Sequence, residues 1–163
     1  MFYTYYDSPI GRLTIVSTLR EITHLFLTTE HFKDFQTVNK LVDDPQHLIL
    51  REAVKQLDEY FYEGRANFDL PFEIKGTDFQ KKIWAELRQI PIGQVCSYQD
   101  IAIKIGNKSA VRAIGQANKA NRLPIFIPCH RVIGKNQRLT GYAGDKNDLK
   151  AKLLTHENVS FKH

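Results

Sequence analysis

Ile127-Pro128-Cys129-His130-Arg131-Val132 joins a cysteine directly to a histidine, behind a proline and at the end of an apolar run. Leu123 to Ile127 reads as a short buried segment, and Pro128 removes a backbone donor and ends regular pairing. Cys129 is therefore expected at the edge of a core rather than lost within it. A nucleophilic role requires the thiolate, and a free cysteine ionises near pH ~8.5. On an extended chain neighbouring side chains point to opposite sides, which argues against direct pairing of Cys129 with His130. A proton path from the thiol through water to His130, with an acid behind the imidazole, suits the pattern better. The same six residues also suit a buried structural cysteine. The stretch alone leaves both readings open.

Outward from this stretch, the chain divides by charge. Residues 1–75 hold 8 Lys and Arg against 12 Asp and Glu, whereas residues 76–163 hold 15 against 6. A C-terminal half with a net charge of +9 in a chain of +5 points to a polyanionic partner, or to a solvated lysine-rich surface. With 163 residues and 42% apolar content the chain can bury a sizeable core. It has no apolar run of ~18 residues, and its first residues lack the pattern of a secretory signal. Its two cysteines, Cys96 and Cys129, suggest neither a disulfide framework nor a metal site. A reducing cytoplasm is the expected compartment, with no membrane, metal or cofactor involved.

Residues 2–6, 12–18 and 22–28 predict an antiparallel meander of strands, broken at Asp7-Ser8-Pro9 and Leu19-Arg20-Glu21. Residues 30–45 read as a polar loop containing at most a short helix. Leu50, Val54, Leu57 and Phe61 recur at helical spacing before Gly64, and Ile74-Lys75-Gly76 reads as a linker. The expected division is an α/β domain over residues 1–75 and a mainly helical domain over 76–163. In the second, Thr77 or Asp78 caps a helix carrying Phe79, Ile83, Trp84 and Leu87. Ser97 caps a second helix ending at Gly106-Asn107, and Ser109 caps a third with Arg112, Gln116 and Lys119 on its polar faces. Such a pair has the layout of a helix-turn-helix. Asn147 to Glu157 reads as a last helix, with Leu149, Leu153 and Leu154 inward.

With these elements in order, the C-terminal half resembles the O6-alkylguanine-DNA alkyltransferases. The resemblance runs through Gly76-Thr77-Asp78-Phe79-Gln80, Ile83-Trp84, Ile90-Pro91-Ile92-Gly93, Ser97-Tyr98 and Arg112-Ala113-Ile114-Gly115. It continues through Asn121, the Pro-Cys-His-Arg-Val motif at 128–132, Tyr142-Ala143-Gly144 and His156-Glu157. It implies a ribonuclease-H-like N-terminal domain, a small antiparallel sheet with a helix, and a winged-helix-like C-terminal domain. It also implies a monomeric, cofactor-free suicide repair protein acting on double-stranded DNA that contains O6-alkylguanine.

By the same resemblance Cys129 is the alkyl acceptor, His130 the water-mediated base, Glu157 the acid orienting it, and Asn121 the residue tying the active-site turn together. Tyr98 contacts the target phosphate and the guanine, and Arg112 fills the gap left by the flipped base. Ser109, Gln116 and Lys119 join them on DNA. The carbonyls of Cys129 and Val132 and the amide of Ala143 read the base edge. O4-alkylthymine is a possible second substrate.

Three departures from the family stand out. Asn121-Arg122 replaces Asn-Pro, Asp145-Lys146-Asn147 follows Tyr142-Ala143-Gly144 with one extra residue, and Lys152 occupies a position where a large apolar residue is usual. The competing classes are a non-catalytic alkyl-lesion binding protein, a helix-turn-helix regulator and a cysteine hydrolase. The first carries tryptophan where this chain has Cys129. The second has no use for Cys129, His130 and Glu157 together, and the third requires turnover.

Overall fold

The computed structural model describes residues 1–139 and 147–162 and divides into two compact units, Met1–Ile74 and Lys75–His163. In the first unit β1 (Phe2–Ser8), β2 (Gly11–Ser17) and β3 (Ile22–Phe26) form the meander expected from their alternating Tyr, Thr, Val and Ile. Tyr3 lies opposite Val16 and Val16 opposite His24, so each face of the sheet takes alternate residues. The sheet is not purely antiparallel. A two-residue strand, β4 (Val42–Asp43), pairs parallel with β1 and gives the order β3-β2-β1-β4.

The chain reaches that position by a crossover through α1 (Thr29–Val38), a ten-residue helix where a polar loop with at most a short helix was expected. Thr28 caps it by accepting from the His31 amide. Its buried contact is made by Phe32, with Phe35 half-buried alongside, against Tyr3, Val16 and Phe26. Two aromatics three residues apart make too narrow a stripe to read as an amphipathic helix. Opposite them, α2 (Leu48–Tyr62) buries Leu50, Ala53, Leu57 and Phe61. Tyr6 donates to Asp58 on this helix at 3.0 Å.

The second unit is mainly helical. α3 (Asp78–Leu87) opens with a complete capping box between Thr77 and Gln80. A side chain at Gly76 would meet the Trp84 ring at 2.6 Å, which is why the turn before the helix needs glycine. Trp84 Nε1 donates to the carbonyl of Ala117 at 2.9 Å and so ties α3 to α5 (Val111–Lys119). Between them lie β5 (Cys96–Ser97) and α4 (Tyr98–Lys104), whose capping box pairs Ser97 with Asp100. Gly106, at φ 77°, reverses the chain between α4 and α5. Ser109 does not cap α5. Its hydroxyl donates to Asn107 at 2.8 Å, and Ala110 holds the N-cap position. β6 (Val132–Ile133) pairs parallel with β5, and α6 (Asn147–His156) closes the unit with Leu153 and Leu154 buried. No described helix is long and apolar enough to cross a membrane.

Candidate active site

Cys129, His130 and Arg131 form a single 3-10 turn between Pro128 and β6 rather than an extended strand. Successive side chains in such a turn diverge by about 120°. Cys129 and His130 thus point apart, for a different reason from the alternation of a strand. The run Leu123–Ile127 is likewise a tight turn, closed by the Ile127 amide donating to the Leu123 carbonyl at 2.8 Å. Ile125 within it has φ 72°, a left-handed conformation that costs a β-branched residue about 1–3 kcal/mol. Asn121 holds this turn from outside. Its Oδ1 accepts from the Leu123 amide at 3.0 Å and its Nδ2 donates to the Ile127 carbonyl at 2.9 Å.

Behind the turn lies a buried charged network. His130 Nε2 and Glu157 Oε2 are 2.7 Å apart, and His130 is wholly buried. Arg131 donates from Nε to Oε1 of Glu157 at 2.9 Å and from a terminal guanidinium nitrogen to Oε2 at 3.2 Å. Its other terminal nitrogen donates to the Ile90 carbonyl at 2.7 Å. Burial opposes ionisation of Glu157, but His130 and Arg131 together outweigh it and hold the carboxyl at about 2. Burial lowers the His130 imidazole below its usual range, and this exceeds the opposing pull of Glu157. The imidazole is therefore neutral near pH 7 and able to receive a proton, with a carboxylate ready to stabilise the cation.

Besides Arg131, two residues of this site carried no role in the sequence reading. Lys150, fully buried on α6, donates a hydrogen bond to the Val132 carbonyl. Burial drops its ammonium to about 8, against an opposing pull from the charge of Cys129. Lys150 lies three and four residues before the inward Leu153 and Leu154, the spacing of one helix face. Asn118, buried on α5, donates from Nδ2 to the Cys129 carbonyl at 3.3 Å. It follows Ile114 by four residues, which also sets it on the inward face.

Cys129, His130 and Glu157 are brought together, and Asn121 braces the approach to them. Val132 follows in β6, its carbonyl taken up by Lys150. Tyr98 is half-buried at the start of α4, and a side chain at Gly115 of α5 would stand 4.0 Å from its ring. Arg112, Gln116 and Lys119 are exposed along α5, with Ser109 just before it. Lys152 is exposed and pairs with Asp148 at 3.4 Å. Ala143, with Tyr142 and Gly144, lies outside the described residues. Among the described residues no group of three or more His, Cys, Asp and Glu could hold a metal ion.

A ribonuclease-like domain followed along the chain by a DNA binding domain defines a class of DNA methyltransferase. Residues 1–74 match the model of the 6-O-methylguanine DNA methyltransferase ribonuclease-like domain, and residues 78–159 match that of its DNA binding domain. The chain belongs to the 6-O-methylguanine DNA methyltransferase family.

It is 49% identical over 161 residues to the constitutive methylated-DNA–protein-cysteine methyltransferase of Bacillus subtilis, covering 99% of this chain and 98% of that one. The enzyme of the same name from Methanosarcina barkeri is 40% identical over 162 residues, covering 96% of this chain and 97% of that protein. Among solved structures, the Mycobacterium tuberculosis O6-methylguanine methyltransferase superposes with a TM-score of 0.86 at 39% identity, covering 96% of this chain and 92% of that one. The Mycobacterium tuberculosis protein in complex with DNA gives a TM-score of 0.85 at 39% identity with the same coverage.

Proposed function

We infer that Cys129 is the alkyl acceptor of this DNA repair methyltransferase, and that His130 and Glu157 manage the proton it gives up. The observation that carries the reading is the buried His130–Glu157 pair, 2.7 Å apart, with His130 in the same turn as Cys129. The thiol proton passes through water to the neutral His130, and Glu157 stabilises the imidazolium. The thiolate then attacks the alkyl carbon on guanine O6. A sulfur–carbon bond forms, the carbon–O6 bond breaks, and its electron pair leaves with guanine, which the Tyr98 hydroxyl protonates. The product thioether is stable, so each chain acts once. The protein works as a monomer in the cytoplasm, and its lesion is O6-alkylguanine in double-stranded DNA.

A direct test follows the label. Incubation with duplex DNA containing O6-methylguanine is expected to add one methyl group per chain, on the peptide that contains Cys129. More than one equivalent of guanine repaired per chain, or a methyl group on Cys96, would sink the assignment.

Contact with DNA falls to α4 and α5, which act as the helix-turn-helix of a winged-helix-like domain. Arg112, Gln116 and Lys119 are exposed on the second helix, and the half of the chain that carries them has a net charge of +9. Arg112 occupies the space left in the stack by the flipped base, offsetting part of the few kcal/mol that unstacking costs. Arg112→Ala is expected to slow repair of duplex DNA by roughly ten- to a hundredfold, equivalent to ~1.4–2.8 kcal/mol of barrier. Reaction with free O6-benzylguanine needs no flipping and is expected to be nearly unchanged. His130→Ala is expected to slow both. Two rate constants per variant decide the matter, and equal slowing by Arg112→Ala would place the residue in the fold rather than the stack.

A further inference from the structure

Arg131 follows Cys129 and His130 in the same 3-10 turn and is 5% exposed. Every nitrogen of its guanidinium is engaged. Nε donates to Glu157 Oε1 at 2.9 Å, one terminal nitrogen to Oε2 at 3.2 Å, and the other to the Ile90 carbonyl at 2.7 Å. The Ile90 contact ties the guanidinium to the turn after α3, so the arginine is anchored from outside the pair it holds. Glu157 Oε2 is shared, since His130 Nε2 also lies 2.7 Å from it. A planar fork on both oxygens fixes the plane of the carboxylate and aims Oε2 at the imidazole.

The clamp also decides where the proton between His130 and Glu157 resides. Arginine stays charged throughout the working pH range, and its fork matches an ionised carboxylate. Glu157 is thereby held as an anion, and Nε2 of His130 is the donor in their hydrogen bond. In a neutral imidazole with its hydrogen on Nε2, Nδ1 is the accepting nitrogen. Without the cation, a carboxylate buried this deeply draws a second proton into the pair. Two arrangements of that proton leave no buried O–H without an acceptor: an imidazolium beside a carboxylate, or an imidazole accepting from a carboxylic acid. In both, Nδ1 bears a hydrogen, and the thiol proton has no place to go.

We propose that Arg131 is a positioning residue of alkyl transfer, clamping Glu157 as a carboxylate so that His130 keeps its hydrogen on Nε2 and presents Nδ1 to the thiol proton. The inference rests on His130 being the base for Cys129. The charges that act on Glu157 are those of His130 and Arg131, and Lys150 of α6 joins them at the imidazole. On α3, which packs against the turn, Glu86 pairs with Lys104, and Asp78, Lys81, Lys82 and Arg88 are exposed. On α6, Lys152 pairs with Asp148, and His156 is half-buried. The clamp on Glu157 is thus the work of Arg131.

The test compares single-turnover rates from pH 6 to 9 for the wild type, Arg131→Gln and Arg131→Lys, and follows the His130 ring by nitrogen NMR. Glutamine keeps a donor for Glu157 and lacks the charge, whereas lysine keeps the charge and lacks the fork. The wild-type ring is expected to carry its hydrogen on Nε2 at pH 7, with Nδ1 bare. Arg131→Gln is expected to be roughly tenfold slower than the wild type at pH 7 and within about twofold of it at pH 9, with ring protonation moved to higher pH. Arg131→Lys is expected to be slower by a similar factor at every pH, with the ring titration unmoved.

A hydrogen on Nδ1 of the wild-type ring at pH 7 would overturn the proposal, and that measurement needs no variant to fold. An unmoved ring titration in Arg131→Gln, or a rate deficit that is the same at every pH, would overturn it as well. So would a lysine variant whose ring titration moves as far as that of glutamine, which would assign the effect to lost packing. His130→Ala separates these failures from that of the premise. If it transfers at the wild-type rate at pH 7, the base assignment falls and this inference with it. If it is slow while Arg131→Gln titrates as the wild type does, this inference alone is removed.

Discussion

Glutamine in place of Glu157 is expected to slow alkyl transfer by roughly a hundredfold or more and to cost about 3–5 kcal/mol of stability. Both effects come from one carboxylate. Its two oxygens hold His130 at 2.7 Å and Arg131 at 2.9 and 3.2 Å, and Glu157, His130 and Arg131 are all buried. A neutral amide leaves the Arg131 cation without its counter-charge in the core, the situation in which breaking a buried pair is most destabilising. It also withdraws the anion that would stabilise a protonated His130, and transfer then loses the group that drives proton removal.

The pH dependence has a definite sign. Glu157 ionises at about 2 in the fold against 4.5 for the free group, so its stabilisation is complete above 4.5 and is lost as pH falls toward 2. A difference of this size corresponds to about 3 kcal/mol. His130 adds a loss at higher pH. Its folded value lies below 6.5, so the unfolded chain binds a proton that the fold resists, and stability falls as pH drops below 6.5. Melting temperatures of the wild type and Glu157→Gln measured from pH 7 down to pH 3 should therefore converge. A gap that stays constant over that range would contradict the ionic origin of the stabilisation. Wild-type transfer by Glu157→Gln would remove the residue from the mechanism.

How much of this centre could be read in advance follows from where each residue sits. Cys129, His130 and Arg131 are consecutive, so their chemistry is visible as a motif even though the 3-10 turn they adopt is not. Glu157 lies 27 positions from His130 and 26 from Arg131, and reaches them only through the packing of α6. Its pairing with His130 was available through family resemblance, whereas its bond to Arg131 was not. Lys150 was missed because a lysine in a helix of mixed polarity reads as surface, although its spacing to Leu153 and Leu154 puts it inward. Asn118 was missed for a similar reason, and attention went to Asn121, which braces the preceding turn instead. In the first unit α1 was expected as at most a short helix in a polar loop, because Phe32 and Phe35 are its main inward contacts. The error there concerned one element, and the parallel β4 followed from the crossover that this helix provides.

Lys150→Met is expected to make the protein more stable and a worse methyl acceptor. A lysine ammonium ordinarily ionises near 10.5, and burial brings Lys150 to about 8, which corresponds to about 3 kcal/mol against keeping it charged in the fold. Methionine has a similar length and no charge, so it removes that cost. It also leaves the Val132 carbonyl without the ammonium donor, which returns ~1–2 kcal/mol of the gain. A net stabilisation of about 1–2 kcal/mol at pH 7 is the expected result.

Because the folded value is the lower one, the unfolded chain holds the extra proton between about 8 and 10.5, and wild-type stability rises with pH through that window. The advantage of methionine should therefore shrink above pH 8. Activity should move the other way. The buried ammonium lies within electrostatic reach of Cys129, and a thiolate formed there gains from the attraction. Loss of even one pH unit of that attraction, about 1.4 kcal/mol, slows transfer roughly tenfold at pH 7. The deficit should close at high pH, where the thiol ionises unaided. Melting curves and single-turnover rates across pH 6–10 would measure both. A destabilised Lys150→Met protein, or a rate deficit that is the same at every pH, would show that Lys150 acts by holding the Val132 carbonyl and not by its charge.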